Sequence, residues 1–511
     1  MKTTELSNSV RLYRELLLKD MYRPGYHFSV PDGKGIPGDP NGCFYADGRH
    51  HLMYLYEREG GAFHWGHVSS VDLIHWRHHQ DSLVKGISDH GCFSGGAFVD
   101  DDGTAYLSFW IFNANREKND SADAGIGIAW SRPPYEHWER FPEVCIASTE
   151  WGIREVTLDD GTTEYLCCAD PSNIWKKDGV YYIQTGNLCV LDKYGRLEDS
   201  PVEMRGDWVD LFSSADLRKW EHEGRFYERR KDNIYTDESE DDMCPSFLPL
   251  PRSADGGPLS DKYLQLFISH NKGCQYYIGD YIDNRFIIEK HGRMSWVDDA
   301  FFAPEAYIDG RGRQIMLSWL RDNVDNDYAA YGWSGVQSLP RTLWLDDDGE
   351  LGIAPVDEID ALRIGNQSFE GPFADDELLP IKRTESCEIN ISSNPGNSGK
   401  SGIALVDPKG HQTLIYYDAR NNTLVLDATH SKSLSRPVRE CAPLLLSPEE
   451  PLNLRVYIDK SVIEIFANNR QAICRRVYKP DNDNLKIKLI QQNGTKTNKV
   501  VAYEMMESMP Y

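Results

Sequence analysis

The sequence contains a repeated stretch, Ser70-Val71-Asp72-Leu73-Ile74-His75-Trp76, which returns as Ser214-Ala215-Asp216-Leu217-Arg218-Lys219-Trp220. A looser copy runs from Ser131 to Trp138. The final tryptophans of successive copies lie 62 and 82 residues apart, spacings that suit four-stranded propeller blades with their loops. In each copy we expect the serine and the aspartate to cap an outer-strand turn and the tryptophan to cover the blade edge. The repeat is therefore interpreted as structural and not as catalytic.

The residue pattern divides the chain into four regions. Residues 1–21 form an extension in which the apolar spacing at 8–20 predicts one short helix. From 22 to 364, short alternating apolar runs are separated by Gly, Asp and Asn, the pattern of an all-β domain. Residues 365–380 look like a linker, and a second series of alternating strands over 381–511 predicts a β-sandwich. The sequence therefore predicts an all-β protein in which a propeller domain is followed by a C-terminal sandwich.

Charge and cysteine usage narrow the class of protein. The chain has 511 residues and a net charge of −25, which argues against nucleic acid or an anionic membrane as a partner; the simplest interpretation of the charge is solubility. No apolar run reaches the roughly 18 to 20 residues of a membrane span, and Met1–Leu6 shows no secretory signal. The 11 cysteines form no CxxC motif, and the adjacent pair Cys167-Cys168 is a poor disulfide. These patterns predict a cytoplasmic protein with reduced thiols, no metal and no cofactor.

A short acidic turn, Gly38-Asp39-Pro40-Asn41-Gly42, precedes a predicted hairpin. Pro40 fixes its own backbone and extends Asp39, while Asn41-Gly42 is a strong tight-turn pair. We expect Asp39 to lie at the mouth of the hairpin, where its carboxylate can face a ligand. The alternative is an ordinary acid of an Asx turn.

Three further stretches combine carboxylates or aromatic residues with strand starts. The segment Ala169-Asp170-Pro171-Ser172-Asn173-Ile174-Trp175 again places an acid before proline. The run Glu238-Ser239-Glu240-Asp241-Asp242-Met243-Cys244-Pro245 puts several acids directly before a Cys-Pro strand start. The third stretch, Gly332 to Arg341, ends the first series of strands.

Together these stretches resemble glycoside hydrolase family 32, which comprises the invertases, inulinases, levanases and other β-fructofuranosidases. The resemblance also rests on further segments, namely Tyr26-His27-Phe28, His64-Trp65-Gly66-His67, Phe93-Ser94-Gly95 and, near the C-terminus, Leu454 to Asn468. It covers roughly residues 22 to 505 in the family's order. The resemblance implies a five-bladed β-propeller at 22–364 followed by the sandwich, on which Asp459 and Glu464 are interpreted as interface or turn residues.

The resemblance also implies a retaining glycosidase. Such an enzyme uses one carboxylate as nucleophile and a second carboxyl group as acid/base about 5 to 5.5 Å away. By this resemblance Asp39 is the nucleophile that attacks the anomeric carbon. Asp170 stabilises the oxocarbenium-like transition state by binding sugar hydroxyls. The alternative for Asp170 is a capping acid in a loop.

Four polar residues of the family site are replaced in this chain. Gly38 stands where the family has Asn, Leu55 where it has Gln, and Ala169 where it has Arg. Met243 stands where the family carries the Glu that serves as general acid/base, and methionine cannot transfer a proton. Either the substrate differs from a plain terminal fructose, or other side chains fill the gaps.

Three acids are candidates for the missing acid/base. Asp241 or Asp242 would reach the site if the strand entrance is shifted by one or two residues, and Glu305 stands where the family commonly has Gln. The alternatives are a lost acid or, for the aspartates, a solvated acidic loop over 237–242. Whichever acid serves needs a raised pKa, which burial beside like charges provides.

Other side chains are expected to bind the sugar or to form the wall of its pocket: Asn41, Trp65, Phe93, Ser94, Phe302 and Trp319. The aromatic members could instead belong to the blade core, as could Trp333. His64 and His67 are interpreted as structural hydrogen-bonding residues.

The sequence therefore predicts a glycoside hydrolase that cleaves β-fructofuranosidic linkages in short fructosides or fructo-oligosaccharides through a covalent Asp39 intermediate. Its expected partner is a carbohydrate, and any homo-oligomer is expected to form through the β-sandwich. The alternatives are a fructosyltransferase, a hydrolase of another furanoside, or a carbohydrate-binding propeller that lost catalysis with the changes to Ala169 and Met243.

Overall fold

Strands make up nearly all of the regular structure. The computed structural model describes residues 9, 12, 15–30, 37–58, 61–86, 91–112, 124–149, 152–157, 160–190, 206–229, 240–322, 333–433, 436–447, 449–479 and 484–508. Within the predicted leading helix, the described positions 9, 12 and 15–19 are helical, and short 3-10 turns occur at Leu188–Val190 and Asp357–Leu362. No helix in these ranges is both long enough and apolar enough to cross a membrane. The all-β prediction is confirmed.

The chain folds into two compact units. The first, called the blade unit here, comprises residues 34–319 and 342–349. The second, called the sandwich unit, comprises residues 1–33, 320–341 and 350–511. The domain limits predicted from the sequence stay a prediction.

The blade unit consists of antiparallel sheets in which consecutive strands pair with one another. A ten-stranded sheet contains two blades joined through a parallel pairing of Phe63 with Gly91. Its strands are Pro40–Ala46, Arg49–Glu57, Phe63–Ser70, Arg77–His78, Gly91–Cys92, Ala97–Val99, Ala105–Phe112, Gly125–Ser131, Glu139–Arg140 and Ile146–Ala147. The later strands are Ile153–Thr157 with Thr163–Cys167; Trp175–Lys177, Val180–Thr185, Asp207–Ser214 and Glu221–Arg229; Met243–Pro251, Leu259–Ser269, Gly273–Ile282 and Arg285–Arg293; and Phe301–Ile308 with Gln314–Leu320. The strand Arg341–Leu345 follows them along the chain.

The repeated Ser-x-Asp stretches are the turns that lead into outer strands, as predicted. In the first copy the Ser70 hydroxyl donates to Asp72, whose carboxylate accepts the backbone N–H of His75 at 2.9 Å. In the second copy Asp216 accepts the corresponding N–H of Lys219, also at 2.9 Å. The leucine between them has the same left-handed backbone in both copies, with φ of 62° at Leu73 and 63° at position 217. The prediction that Ser and Asp cap these corners is confirmed.

The sandwich unit contains two six-stranded antiparallel sheets. One sheet has the strands Arg363–Glu370, Lys496–Met505, Ser386–Asn394, Leu452–Asp459, Val462–Ala467 and Gln471–Arg476, in that spatial order. The other has Leu378–Leu379, Lys486–Gln492, Lys400–Val406, Gln412–Asp418, Thr423–Asp427 and Arg439–Pro443. The remaining strands of the unit are Ser29–Val30, which pairs with Ser334–Gln337, and Leu351–Pro355. Part of the interval interpreted as a linker, residues 365–380, is thus edge strand.

Hydrogen bonds from buried polar side chains join neighbouring sheets of the blade unit near the start of their first strands. The amide of Asn173 donates to the carbonyl of Phe247 at 3.0 Å and accepts its N–H at 2.7 Å. Strands of different blades share few backbone hydrogen bonds, so such side chains fix their spacing. These cross-sheet hydrogen bonds connect Asn41 to Gly95, Ser108 to Ser172, Asn173 to Phe247, and Ser246 to Ala306.

Three histidine rings pack together inside the first blade. His51 Nδ1 lies 2.9 Å from His67 Nε2, and the rings of His67 and His79 stack with centroids 4.3 Å apart. Burial, followed by the neighbouring His79, lowers the pKa of His51 to about 3, and burial also lowers the pKa of His67. Among the described residues, no group of three His, Cys, Asp or Glu side chains is arranged to hold a metal ion. The cluster is therefore interpreted as structural, as was predicted for His67.

A buried ionic cluster organises the sandwich unit. Asp459 accepts the backbone N–H groups of Gly25, Tyr26 and His27 at 2.7 to 3.0 Å, and it also contacts His27 Nδ1 at 2.8 Å. Burial alone would lower the pKa of His27, but hydrogen bonds to Asp459 and Glu464 raise it. Glu464 in turn pairs with Arg341 at 2.7 Å. Asp459 and Glu464 were interpreted as interface or turn residues; both are fully buried and hold the segment around His27 within this unit.

We expect His51→Gln to make the stability of the protein less dependent on pH. Unfolded histidine takes up a proton near pH 6.5, whereas folded His51 stays neutral to about pH 3. The unfolded state therefore binds more protons in this window, and stability falls as the pH falls, by about 2 kcal/mol between pH 7.5 and 5. Urea unfolding at both pH values measures the difference. His137→Gln, on the surface, is the control, and an unchanged pH dependence in His51→Gln would contradict the assignment.

We expect Asp459→Asn to lower the free energy of unfolding by about 3 to 5 kcal/mol, because it leaves a buried cation without its main counter-charge. Denaturant titration measures the loss. The matched control is Asp261→Asn, which removes an exposed ion pair with Arg252 and should leave stability unchanged within error. Equal effects of the two substitutions would show that the buried cluster has no special role.

Candidate active site

Two β-bulges direct side chains at the starts of first strands. The register of Pro40–Ala46 shifts between Asn41 and Phe44, and Gly42 there has a φ of 51°. A side chain at Gly42 would collide with Leu107 and Trp65, within 2.9 Å of its Cβ. The register of Met243–Pro251 shifts after Met243, where Cys244 has a φ of 50°. Bulges of this kind change the direction in which side chains point, and the left-handed backbone at Cys244 shows that the bulge constrains this residue.

Asp39 is held at the first bulge. Its side chain is buried, and the Ser94 hydroxyl donates to Oδ2 at 2.6 Å. Its backbone carbonyl accepts the N–H of Leu55 at 2.9 Å. The Asn41 amide donates to the same carbonyl at 3.4 Å, while its Oδ1 accepts the N–H of Gly95 at 3.3 Å. Asn41, predicted to bind substrate, thus positions the Asp39 turn.

The Cys244 thiol lies between Asp39 and Asp170. Its Sγ is 3.9 Å from Asp39 Oδ2 and 3.5 Å from Asp170 Oδ2, so these two oxygens are separated by less than the sum of the two distances. Burial, then the charges of Asp170 and Asp39, raises the pKa of the thiol well above its usual value. Cys244 therefore stays protonated and can donate to either carboxylate. The structure brings together the two acids that the sequence placed 131 positions apart.

Asp170 differs electrostatically from an ordinary carboxylate. Burial and then the charge of Asp39 raise its pKa to about 7, against smaller lowering effects of Cys244 and His270. Its backbone carbonyl accepts the N–H of Gly186 at 2.8 Å, which fixes the turn. Because two like charges in one buried site cannot both ionise easily, the pair holds one proton near neutral pH. The arrangement can supply one ionised carboxylate for attack on an electrophilic carbon.

Apolar packing fills the positions where polar family residues are replaced. Leu55 and Ala169 are fully buried, and Met243 is nearly so. A Cβ on Gly152 would lie 2.7 Å from the Ala169 side chain, so the two segments are in close contact. A Cβ on Gly186 would lie equally close to Met243 Sδ. Neighbouring groups therefore pack closely against Ala169 and Met243.

The described contacts separate the three candidates for the acid/base. Asp242 is fully buried, and burial followed by Asp207 raises its pKa well above the usual value; its described interactions are with Asp207, Glu240 and Tyr227. None of the described interactions of Asp242 reaches Asp39 or Asp170. This acid therefore lies in the interior of the blades, and the structure gives no support for proton transfer to a sugar there.

Asp241 and Glu305 make different contacts. The Asp241 carboxylate accepts the backbone N–H of His270 at 3.0 Å and lies 2.5 Å from its Nδ1. Glu305 accepts the Ser246 hydroxyl at 2.9 Å and is buried, which raises its pKa well above the usual value. Glu305 thus accepts a hydrogen bond from Ser246, one of the residues that join neighbouring sheets, whereas Asp241 binds His270.

The predicted sugar-binding aromatics fall into two groups. Trp65 is fully buried, and its indole donates to the carbonyl of Phe93 at 3.1 Å, so we assign it to the blade core. Phe93 is half-buried and packs against Trp110, with ring centroids 5.6 Å apart. Phe302 packs edge-on against Trp319, with ring centroids 6.0 Å apart. Phe93, Phe302 and Trp319 can contribute to a pocket wall. Ser94, by contrast, donates a hydrogen bond to Asp39.

Three residues of the site were missed in the sequence: Cys244, His270 and Asn173. Cys244 and Asn173 stood inside stretches described above and His270 did not, and nothing in the spacing showed which side chains face one another. His270 lies in a loop after a strand, and its relevance depends on the pairing of Ile268 with Met243. The available signal for Cys244 was the Cys-Pro strand start, which predicts no role for the thiol.

We expect Asp170→Asn to raise thermal stability more at pH 8 than at pH 5. Folded Asp170 keeps its proton to about pH 7, whereas the unfolded residue loses it near pH 4, so the folded state binds more protons in this window and stability falls as the pH rises. Asparagine removes this penalty. Calorimetric Tm values at both pH values measure it, and Asp347→Asn on the surface is the control. An equal change of Tm at the two pH values would contradict the buried pair.

Known proteins resemble this chain over nearly its whole length. Residues 27–355 match the model of the glycosyl hydrolases family 32 N-terminal domain, and residues 358–506 match the family 32 C-terminal model. A levanase of Bacillus subtilis is 25% identical over 515 residues, covering 93% of this chain and 68% of that protein. A sucrose-6-phosphate hydrolase of Zymomonas mobilis is 27% identical over 521 residues, covering 94% and 91%.

The fold also matches a solved structure. A variant of fructan 1-exohydrolase IIa from Cichorium intybus in complex with 1-kestose superimposes with a TM-score of 0.78 at 22% identity, covering 96% of this chain and 98% of that one. The all-β architecture is thus a five-bladed β-propeller followed by a C-terminal β-sandwich. With both of its domains matched by the family models, the chain belongs to glycosyl hydrolase family 32 and is a glycoside hydrolase.

Proposed function

We propose that the chain is a retaining β-fructofuranosidase. The observation that carries the proposal is the buried pair of Asp39 and Asp170, joined through the Cys244 thiol. Relatives named levanase and sucrose-6-phosphate hydrolase, and a structural neighbour that holds 1-kestose, support a fructoside as the substrate class.

The chemistry follows from the ionisation of the pair. Asp39, ionised and oriented by Ser94, attacks the anomeric carbon of the fructosyl unit; the bond to the leaving oxygen breaks as the bond to the Asp39 oxygen forms. Water then attacks the same carbon and releases Asp39, which gives fructose with retained configuration. Asp170, which holds the proton of the pair while Asp39 is ionised, binds fructosyl hydroxyls and in this way stabilises the oxocarbenium-like transition state.

The substrate is expected to be a short fructoside or fructo-oligosaccharide. Leu55 and Ala169 remove an amide and a guanidinium from the family site, so fewer directed hydrogen bonds hold the terminal sugar. We infer that ring contacts with Phe93, Phe302 and Trp319 supply part of the remaining affinity. The 11 cysteines are all free thiols, which supports a cytoplasmic location. A homo-oligomer through the sandwich unit stays a prediction, which light scattering would check.

We expect the purified protein to release fructose from sucrose or 1-kestose, and Asp39→Asn to lower kcat at least about 1000-fold. Acid quenching during turnover, followed by peptide mass spectrometry, should detect a fructosyl ester on Asp39 in the wild type. Asp47→Asn, at an exposed turn of the same hairpin, is the control and should retain full activity. Longer oligosaccharides as the main product would instead identify a fructosyltransferase, and binding without turnover would refute the enzyme assignment.

A further inference from the structure

We propose that His270, held by Asp241, is the general acid/base of this site and takes the place of the carboxyl group that Met243 cannot supply. The inference rests on the proposed function and names the residue that protonates the leaving group. It replaces the expectation that one of the three acids itself transfers the proton.

The fold brings His270 to the same end of its sheet as Met243. The strand Leu259–Ser269 runs antiparallel to Met243–Pro251, with Ile268 opposite Met243. The chain therefore leaves the sheet at His270, two residues beyond the residue that pairs with Met243. His270 therefore follows the strand that pairs with Met243, the position at which the family has its acid/base.

Asp241 fixes the orientation of the imidazole. Its carboxylate is fully buried and receives both the backbone N–H and the Nδ1 of His270, at 3.0 and 2.5 Å. Asp241 is fixed in turn, because its N–H donates to the Ser269 hydroxyl at 3.0 Å and its carbonyl accepts the N–H of Asn187 at 2.8 Å. A carboxylate on Nδ1 selects the tautomer and assigns proton transfer to Nε2.

His270 also combines solvent access with a ring contact to Phe302 and an electrostatic effect on Asp170. Its side chain is 45% exposed, whereas Asp242 and Glu305 are enclosed. Its ring lies 6.0 Å from that of Phe302, one of the rings assigned to the pocket wall, and its charge acts on Asp170. A donor to the leaving oxygen must reach the open side of the site, because the leaving sugar departs and water enters there.

The proton balance is complete with these residues alone. Nε2 of protonated His270 gives its proton to the leaving oxygen as the bond from that oxygen to the anomeric carbon breaks and the Asp39 ester forms. In the second step the neutral imidazole takes a proton from the attacking water, whose oxygen bonds to the anomeric carbon as the ester breaks. Histidine suits both steps, because its ordinary pKa near 6.5 allows exchange at neutral pH.

The test compares a substrate whose leaving group needs protonation with one that does not. For His270→Gln we expect kcat/KM on sucrose to fall about 100- to 10,000-fold, the usual contribution of an acid catalyst, and to fall less than about tenfold on 4-nitrophenyl β-D-fructofuranoside. Added azide should restore turnover on the nitrophenyl substrate and yield a fructosyl azide. Asp241→Asn alters only the residue that positions His270. It should also lower kcat/KM more on sucrose than on the nitrophenyl substrate, but by a smaller factor.

The matched control is His411→Gln. His411 contacts Asp407 with the same two bonds, from its backbone N–H at 2.9 Å and from its Nδ1 at 2.7 Å, but it lies in the sandwich unit. This variant should keep wild-type rates on both substrates. Equal losses of His270→Gln on the two substrates, or no loss, would overturn the inference while leaving the proposed function standing.

Two other outcomes distinguish a failure of the inference from a failure of the proposed function. If Asp170→Asn, and not His270→Gln, loses activity selectively on sucrose, then Asp170 is the proton donor and the inference is wrong. If the wild type hydrolyses neither fructoside, the proposed function fails first and takes the inference with it. Unchanged thermal unfolding of His270→Gln establishes that a loss of rate is not a loss of fold.

Discussion

The cross-sheet hydrogen bonds of the blade unit are the constraint on which its site depends. Neighbouring sheets share few backbone hydrogen bonds, so their spacing rests on buried side chains such as Asn173, which both donates to and accepts from Phe247. Removing one partner of such a pair would leave a buried amide or carbonyl unsatisfied, at a cost of about 1 to 3 kcal/mol. This cost holds the strand starts in one arrangement, and with them Asp39 and Asp170.

The second constraint is electrostatic. Asp39 and Asp170 are buried together without the guanidinium that Ala169 replaces, so the protein meets their repulsion with a shared proton and with neutral donors, Ser94 and Cys244. Such a site is less stable than an apolar one would be, and the rest of the fold must offset it. The repacking around Ala169 and Met243 contributes apolar burial at the same place.

The sequence was informative where function is encoded locally. The acids that precede Pro40 and Pro171 could be identified because proline restricts the preceding residue whatever the rest of the chain does. The capped turn around Asp72 was equally local. The site beyond the two acids was not predictable, because a bulge changes which residue faces inward, and a register shift of one residue reverses the direction of a side chain. Asp242 and Asp241 are adjacent in sequence, yet one lies in the blade interior and the other holds His270.

The Cys244 thiol has a consequence for chemical sensitivity. A cysteine inside a site can make an enzyme vulnerable to alkylation and oxidation, because these reactions proceed through the thiolate. Here burial and the two carboxylates raise the pKa of Cys244, so its sulfur stays in the protonated thiol form, which is a poor nucleophile. The Cys244 thiol is therefore expected to react slowly with oxidants and electrophiles, although it lies beside two carboxylates in the site.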